Sequence, residues 1–111
     1  MRLFAFILLF FVTALPHALA GSQTGTVSYI IVRDRDGLVY FALEGGAANS
    51  KPTCATLGYW MIKDEDSTAG MMQYSMLLSA QASGQTVTVV GHNTCTRWGD
   101  GEDVNYIKIL K

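Results

Sequence analysis

Apolar positions fall into one almost unbroken block near the start and several short runs after it. The block is Leu3 to Leu15, with Thr13 its sole polar member. Gly21 to Gly25 is small and polar and predicts a frayed beginning. TVSYIIVR (26–33) is rich in β-branched and aromatic residues and predicts a strand. Asp34-Arg35-Asp36-Gly37 predicts a tight turn, with Asp-Gly as the hairpin signal. LVYFAL (38–43) predicts a second strand, apolar on both faces and therefore buried on both sides. EGGAANSKP (44–52) predicts a loop, and LGYWMIK (57–63) a third strand.

The pattern changes at Asp64. Acids and Ser67 precede Met71, Met72, Tyr74, Met76, Leu77, Leu78, Ala80 and Ala82, and Gly84 closes the run. This is the punctuation of a helix. Met72, Met76 and Ala80 recur every four residues with Leu77 beside them, which predicts a core-facing stripe. Three methionines also raise a copper site, but methionine at helical spacing fits adaptable core filler better. TVTVV (86–90), Thr94 to Trp98 and VNYIKIL (104–110) complete the strands. The expected order is β-β-β-α-β-β-β. The fold class is mainly β with one helix, a small barrel or curved antiparallel sheet with the helix over one end or face.

The apolar block has a separate meaning. Met1-Arg2, the apolar run, Pro16-His17 and Ala18-Leu19-Ala20 follow the order of a secretory signal peptide cut after Ala20. The run is short for a bilayer, which needs about 20 residues. A retained anchor is the competing reading. No membrane span is expected after cleavage, and the mature chain, residues 21–111, is a single small domain, periplasmic or secreted. It carries seven Lys and Arg against nine Asp and Glu, a net charge of −2. That balance argues against nucleic acid, which favours a basic face.

Cys54 and Cys95 are the two cysteines. An even pair in an exported chain predicts a disulfide. It closes a loop of about 40 residues, for which chain entropy gives roughly 4 kcal/mol. The pair falls short of a four-ligand zinc set. Asp34-x-Asp36-Gly37 and Asp100-Gly101-Glu102-Asp103 lack the acidic ladder of a calcium loop and fit tight turns better. His92 with Cys95 or with Asp100 could be offered as a catalytic pair, but with Ser and Thr this plentiful a triad can be drawn anywhere and the pairing carries no signal. No metal, cofactor or catalytic residue is expected.

Candidate binding residues gather in TCTRWGDGEDVNYI (94–107). Trp98 beside Arg97, with Asp100 close by and Tyr59-Trp60 elsewhere, offers aromatic faces for a sugar ring and polar groups for its hydroxyls. Arg97 suits an acidic sugar's carboxylate. The structural alternative packs Trp98 on the disulfide and bridges Arg97 to Glu102 or Asp103. For Trp60 the core role is favoured, and for Trp98 both readings stay open.

The segment QYSMLLSAQASGQTVTVVGHNTC, Gln73 to Cys95, runs a helix through a Gly-marked turn into a strand, with Cys95, Trp98 and a closing strand after it. This layout resembles an oligonucleotide/oligosaccharide-binding (OB) barrel. More specifically it resembles the B subunits of bacterial AB-type toxins, the heat-labile enterotoxin, pertussis and subtilase cytotoxin groups. In the enterotoxin group the first cysteine lies near the mature N terminus, whereas Cys54 lies mid-chain. The resemblance implies a non-catalytic subunit that binds a glycan or cell-surface receptor, forms a homo-pentamer and accompanies an enzymatic A-type chain. The other expectation is a small periplasmic inhibitor or protein-binding barrel acting through residues 97–103.

Overall fold

The computed structural model describes residues 20–111. The expected signal peptide lies outside them, apart from Ala20. The described residues form five strands and one helix: β1 (Ser22–Val32), β2 (Val39–Glu44), β3 (Trp60–Met61), α1 (Thr68–Ser83), β4 (Thr86–Gly91) and β5 (Glu102–Ile109). The strands close into a barrel in the order β1-β2-β3-β5-β4. β3 and β5 run parallel, all other neighbours antiparallel, and α1 sits between β3 and β4 in sequence. The expected small OB-like barrel with one helix is therefore the observed fold.

β1 makes closure possible. Its first half, Ser22 to Thr26, pairs with β4, and Thr26 to Val32 pairs with β2. Gly25 lies where the strand changes partner. A Cβ there would stand 2.2 Å from the carbonyl oxygen of Glu44, so only glycine allows the approach. A bulge between Val27 and Tyr29 adds curvature. The expected frayed start is thus a paired strand. Its small polar residues carry no local strand signal, and the partner lies over 60 residues away.

Burial along β2 alternates. Val39, Phe41 and Leu43 point into the core, while Tyr40 and Ala42 are half-buried. This corrects the expectation of burial on both sides, because the outside of β2 is only partly covered. Trp60 is fully buried, as expected, and its indole N–H donates to Gln23 Oε1 at 2.8 Å.

The helix begins where the sequence says it should. Ser67 Oγ accepts from the Gly70 amide at 3.0 Å, and Gly84 ends the helix in the left-handed region with its N–H on Ala80. Its core face is Gly70, Leu77 and Ala80, with Tyr74 and Met76 packed partly against the barrel. Met71 and Met72 are 62% and 63% exposed, so the expected Met72 stripe is corrected. Met72 precedes Leu77 by five residues, about 140° around a helix of 3.6 residues per turn.

No strand forms over residues 94–98. The Thr94 carbonyl accepts from the Asp103 amide of β5 at 2.8 Å, but the donors of this stretch turn to a carboxylate.

Candidate functional site

That carboxylate belongs to Asp103, fully buried on β5. Its Oδ2 accepts from Thr94 Oγ1 at 2.6 Å, Thr96 Oγ1 at 2.6 Å and the Thr96 amide at 2.9 Å. Its Oδ1 accepts from the Arg97 amide at 3.1 Å. Burial pushes the Asp103 carboxyl up, but these four donors outweigh it and hold it below the usual carboxylate range. The β4–β5 loop is therefore wound around one side chain. The Cys54–Cys95 disulfide, with Cα atoms 6.2 Å apart, ties the same loop to the β2–β3 connection.

The Arg97 side chain turns the other way. Its Nε and Nη2 donate to Glu65 at 3.0 and 2.5 Å, and Nη2 also donates to the Asp36 carbonyl at 3.1 Å. The hydrogen bond from Arg97 holds Glu65 below its ordinary value. One guanidinium thus fastens the β4–β5 loop to the approach to α1 and to the β1–β2 turn. Its partners are neither Glu102 nor Asp103, so that sequence expectation is corrected. Two neighbouring acids on the chain lost to two distant groups brought close by barrel closure.

Trp98 follows Arg97 and lands on the outer wall of β2 and β3. Its ring stacks on Tyr59 at 5.7 Å with 10° between planes. Tyr40 meets Trp98 edge-on at 5.5 Å and Tyr59 at 5.3 Å. The Arg33 guanidinium lies over the Trp98 ring, 4.6 Å from its centroid. Arg33 is itself oriented by Asp36, with contacts of 2.9 and 2.6 Å. That pairing holds the Asp36 carboxyl well below the usual range. Trp98 accordingly packs on aromatic rings, where the sequence offered the disulfide as its support.

Burial, and the Asp100 carboxylate beside it, push the Tyr59 hydroxyl up. Asp100 Oδ1 is enclosed and has no hydrogen-bond partner. Tyr29 and Ile31 continue the patch along β1 at 40% and 39% exposure; Ile31 lies opposite Tyr40 in the register.

Of the residues singled out in the sequence, the structure brings Trp98, Tyr59 and Asp100 together. Arg97 belongs to the scaffold behind them. Tyr40 and Arg33 were missed. The alternation Val39, Phe41, Leu43 could have revealed Tyr40 as outward-facing. Arg33 carried no signal beyond its place beside a turn.

No family model, curated protein or solved structure matches this chain. Among the described residues, no group of three or more His, Cys, Asp or Glu side chains is placed to hold a metal ion. No helix among them is long and apolar enough to cross a membrane.

Proposed function

We propose that this protein is an exported, non-catalytic binding module that takes a sugar on the aromatic wall formed by Tyr40, Tyr59 and Trp98. The observation that carries this reading is the three-ring cluster on the outside of β2 and β3. The β1–β2 turn flanks it on one side and the β4–β5 loop on the other. OB barrels bind oligosaccharides and oligonucleotides on this face and with these loops. The net negative charge of residues 21–111 favours the sugar over the nucleic acid. Tyr40 offers a ring to an apolar sugar face, while the Arg33 guanidinium supplies a donor at its edge. The disulfide is consistent with an oxidising, exported environment.

The resemblance to toxin B subunits adds a homo-pentamer and an enzymatic partner chain to this proposal. A second reading, a small inhibitor or protein-binding barrel, is favoured by the exposed Tyr29 and Ile31, which extend the patch along β1 beyond the three rings. Glycan-array screening of the oxidised protein, repeated with Tyr40→Ala, separates the two. Sugar binding lost in the variant supports the first reading. Absence of any sugar ligand, with capture of a protein through the same wall, supports the second.

A further inference from the structure

Glu102 is a buried acid with one carboxylate oxygen left without a partner. It is fully buried at the start of β5. Its Oε2 accepts from the Gly21 amide at 3.0 Å and from the Asn93 amide at 2.9 Å. Its Oε1 is enclosed and accepts from nothing. The nearby cation, Lys51, attracts Glu102 through space but makes no hydrogen bond or ion-pair contact with it: its Nζ donates to the Tyr59 carbonyl at 3.0 Å and lies 4.1 Å from the Trp60 ring centroid. A buried carboxylate with half its acceptor capacity unused is costly unless a charged partner meets it.

Gly21 is built around this carboxylate. It is buried, and its carbonyl accepts from the Gly91 amide at 2.8 Å. A Cβ on Gly21 would come within 2.3 Å of Glu102 Oε1, so the unpartnered oxygen lies directly against the Gly21 backbone. Gly21 is also the residue after the Ala18-Leu19-Ala20 cleavage signal. As part of a peptide bond, its nitrogen carries one hydrogen, and Oε2 already receives it.

We propose that Ala20–Gly21 is a processing site and that the α-ammonium it releases is the buried ion-pair partner of Glu102. A signal peptidase adds water across the amide. The hydroxyl goes to the Ala20 carbonyl carbon, which leaves as a carboxylate, and the nitrogen of Gly21 becomes an ammonium with three N–H donors. One keeps the bond to Oε2, and a second is free for Oε1. Removal of the leader therefore adds an ion pair to the closed barrel, between the residue that precedes β1 and the start of β5, beside Gly91 at the end of β4. The proposal rests on the export included in the function proposed above, and it is independent of any ligand.

The test has three readings. The intact mass of the exported protein should begin at Gly21; a different first residue overturns the proposal. Oxidised residues 21–111 with a free amine are then compared with residues 20–111, in which Ala20 blocks that amine. The longer form should melt at least about 5 °C lower at pH 7, and Glu102→Gln should abolish the difference. Equal melting temperatures overturn the proposal. If Glu102→Gln does not fold, nitrogen NMR of the Gly21 amine in the unmutated protein decides. The ammonium should persist about one unit or more above the ordinary 7.7–8.0 of a free N terminus; an ordinary titration overturns it.

Discussion

The Trp98 ring lies nearly parallel to that of Tyr59, with 10° between planes and 5.7 Å between centroids. Tyr59 leads into β3, whereas Trp98 sits in a loop with no regular structure. The stack therefore fixes a loop residue against the barrel wall, and Arg33 over the indole fixes it further. A platform held in this way loses little freedom when a ligand arrives. The proposed binding on this wall depends on that rigidity, and the support beneath it can be tested piece by piece.

The disulfide is the first support. Replacing both Cys54 and Cys95 by Ser frees a connection of 41 residues. The loss should be about 4 kcal/mol by loop entropy. For a domain of this size that lowers the melting temperature by about 15–30 °C. Calorimetry of the oxidised protein and the double variant checks it.

Asp103 is the second. Asp103→Asn replaces an acceptor of four hydrogen bonds by an amide that cannot accept them all. The expected cost is about 2 kcal/mol at pH 7. Because the folded Asp103 carboxyl lies below its unfolded value, its contribution is present above about pH 4 and lost as pH falls through the folded value. Glu65, held down by Arg97, acts in the same direction. Thermal melts should be flat from about pH 7 to 5 and fall below about pH 4. Asp103→Asn should start lower and fall less steeply. A variant with the same acid profile as the original protein would show that the carboxylate is not the latch.

Much of this frame was legible because it is local. Ser67 and Gly84 mark the helix through bonds that span only a few residues, and the two cysteines have no other partner in the chain. What the sequence hid is non-local. Ser22 to Gly25 becomes a strand only because β4 supplies the other half of its ladder. Met72 is exposed because the barrel meets the helix along Gly70, Leu77 and Ala80. Thr94 to Trp98 looked like a strand, yet its donors found Asp103 first. For the candidate site the same division holds. Trp98 and Tyr59 stood out as aromatics near turns, whereas Tyr40 joined them only through the β2–β3 pairing, and the route of Arg97 to Glu65 depended on closure.

Gly91 tests how tightly the Glu102 pocket is built. A Cβ there would lie 1.8 Å from Glu102 Oε2, inside a region with no solvent to move into. Gly91→Ala should cost about 3 kcal/mol or more through overpacking. Gly58→Ala, with nothing within 4 Å, should change stability by less than about 0.5 kcal/mol. Urea melts of the two variants give the comparison directly.

Assembly is a separate question from ligand binding. The toxin-like proposal predicts a pentamer of about 50 kDa in light scattering, taking a domain of ordinary size for each subunit. A particle near 10 kDa would remove the ring and the enzymatic partner from the proposal. It would leave the aromatic wall as a site on a monomer.

The most direct test of the central claim is titration calorimetry with the best ligand from a glycan array, using the original protein and Tyr40→Ala. Tyr40 carries no hydrogen bond among those that hold the loop, so its loss should spare the fold. The account predicts saturable sugar binding that weakens about tenfold or more in the variant, the equivalent of one stacked ring, with the melting transition still cooperative. Sugar binding unchanged by Tyr40→Ala would contradict the assignment of the site to the outer wall of β2 and β3.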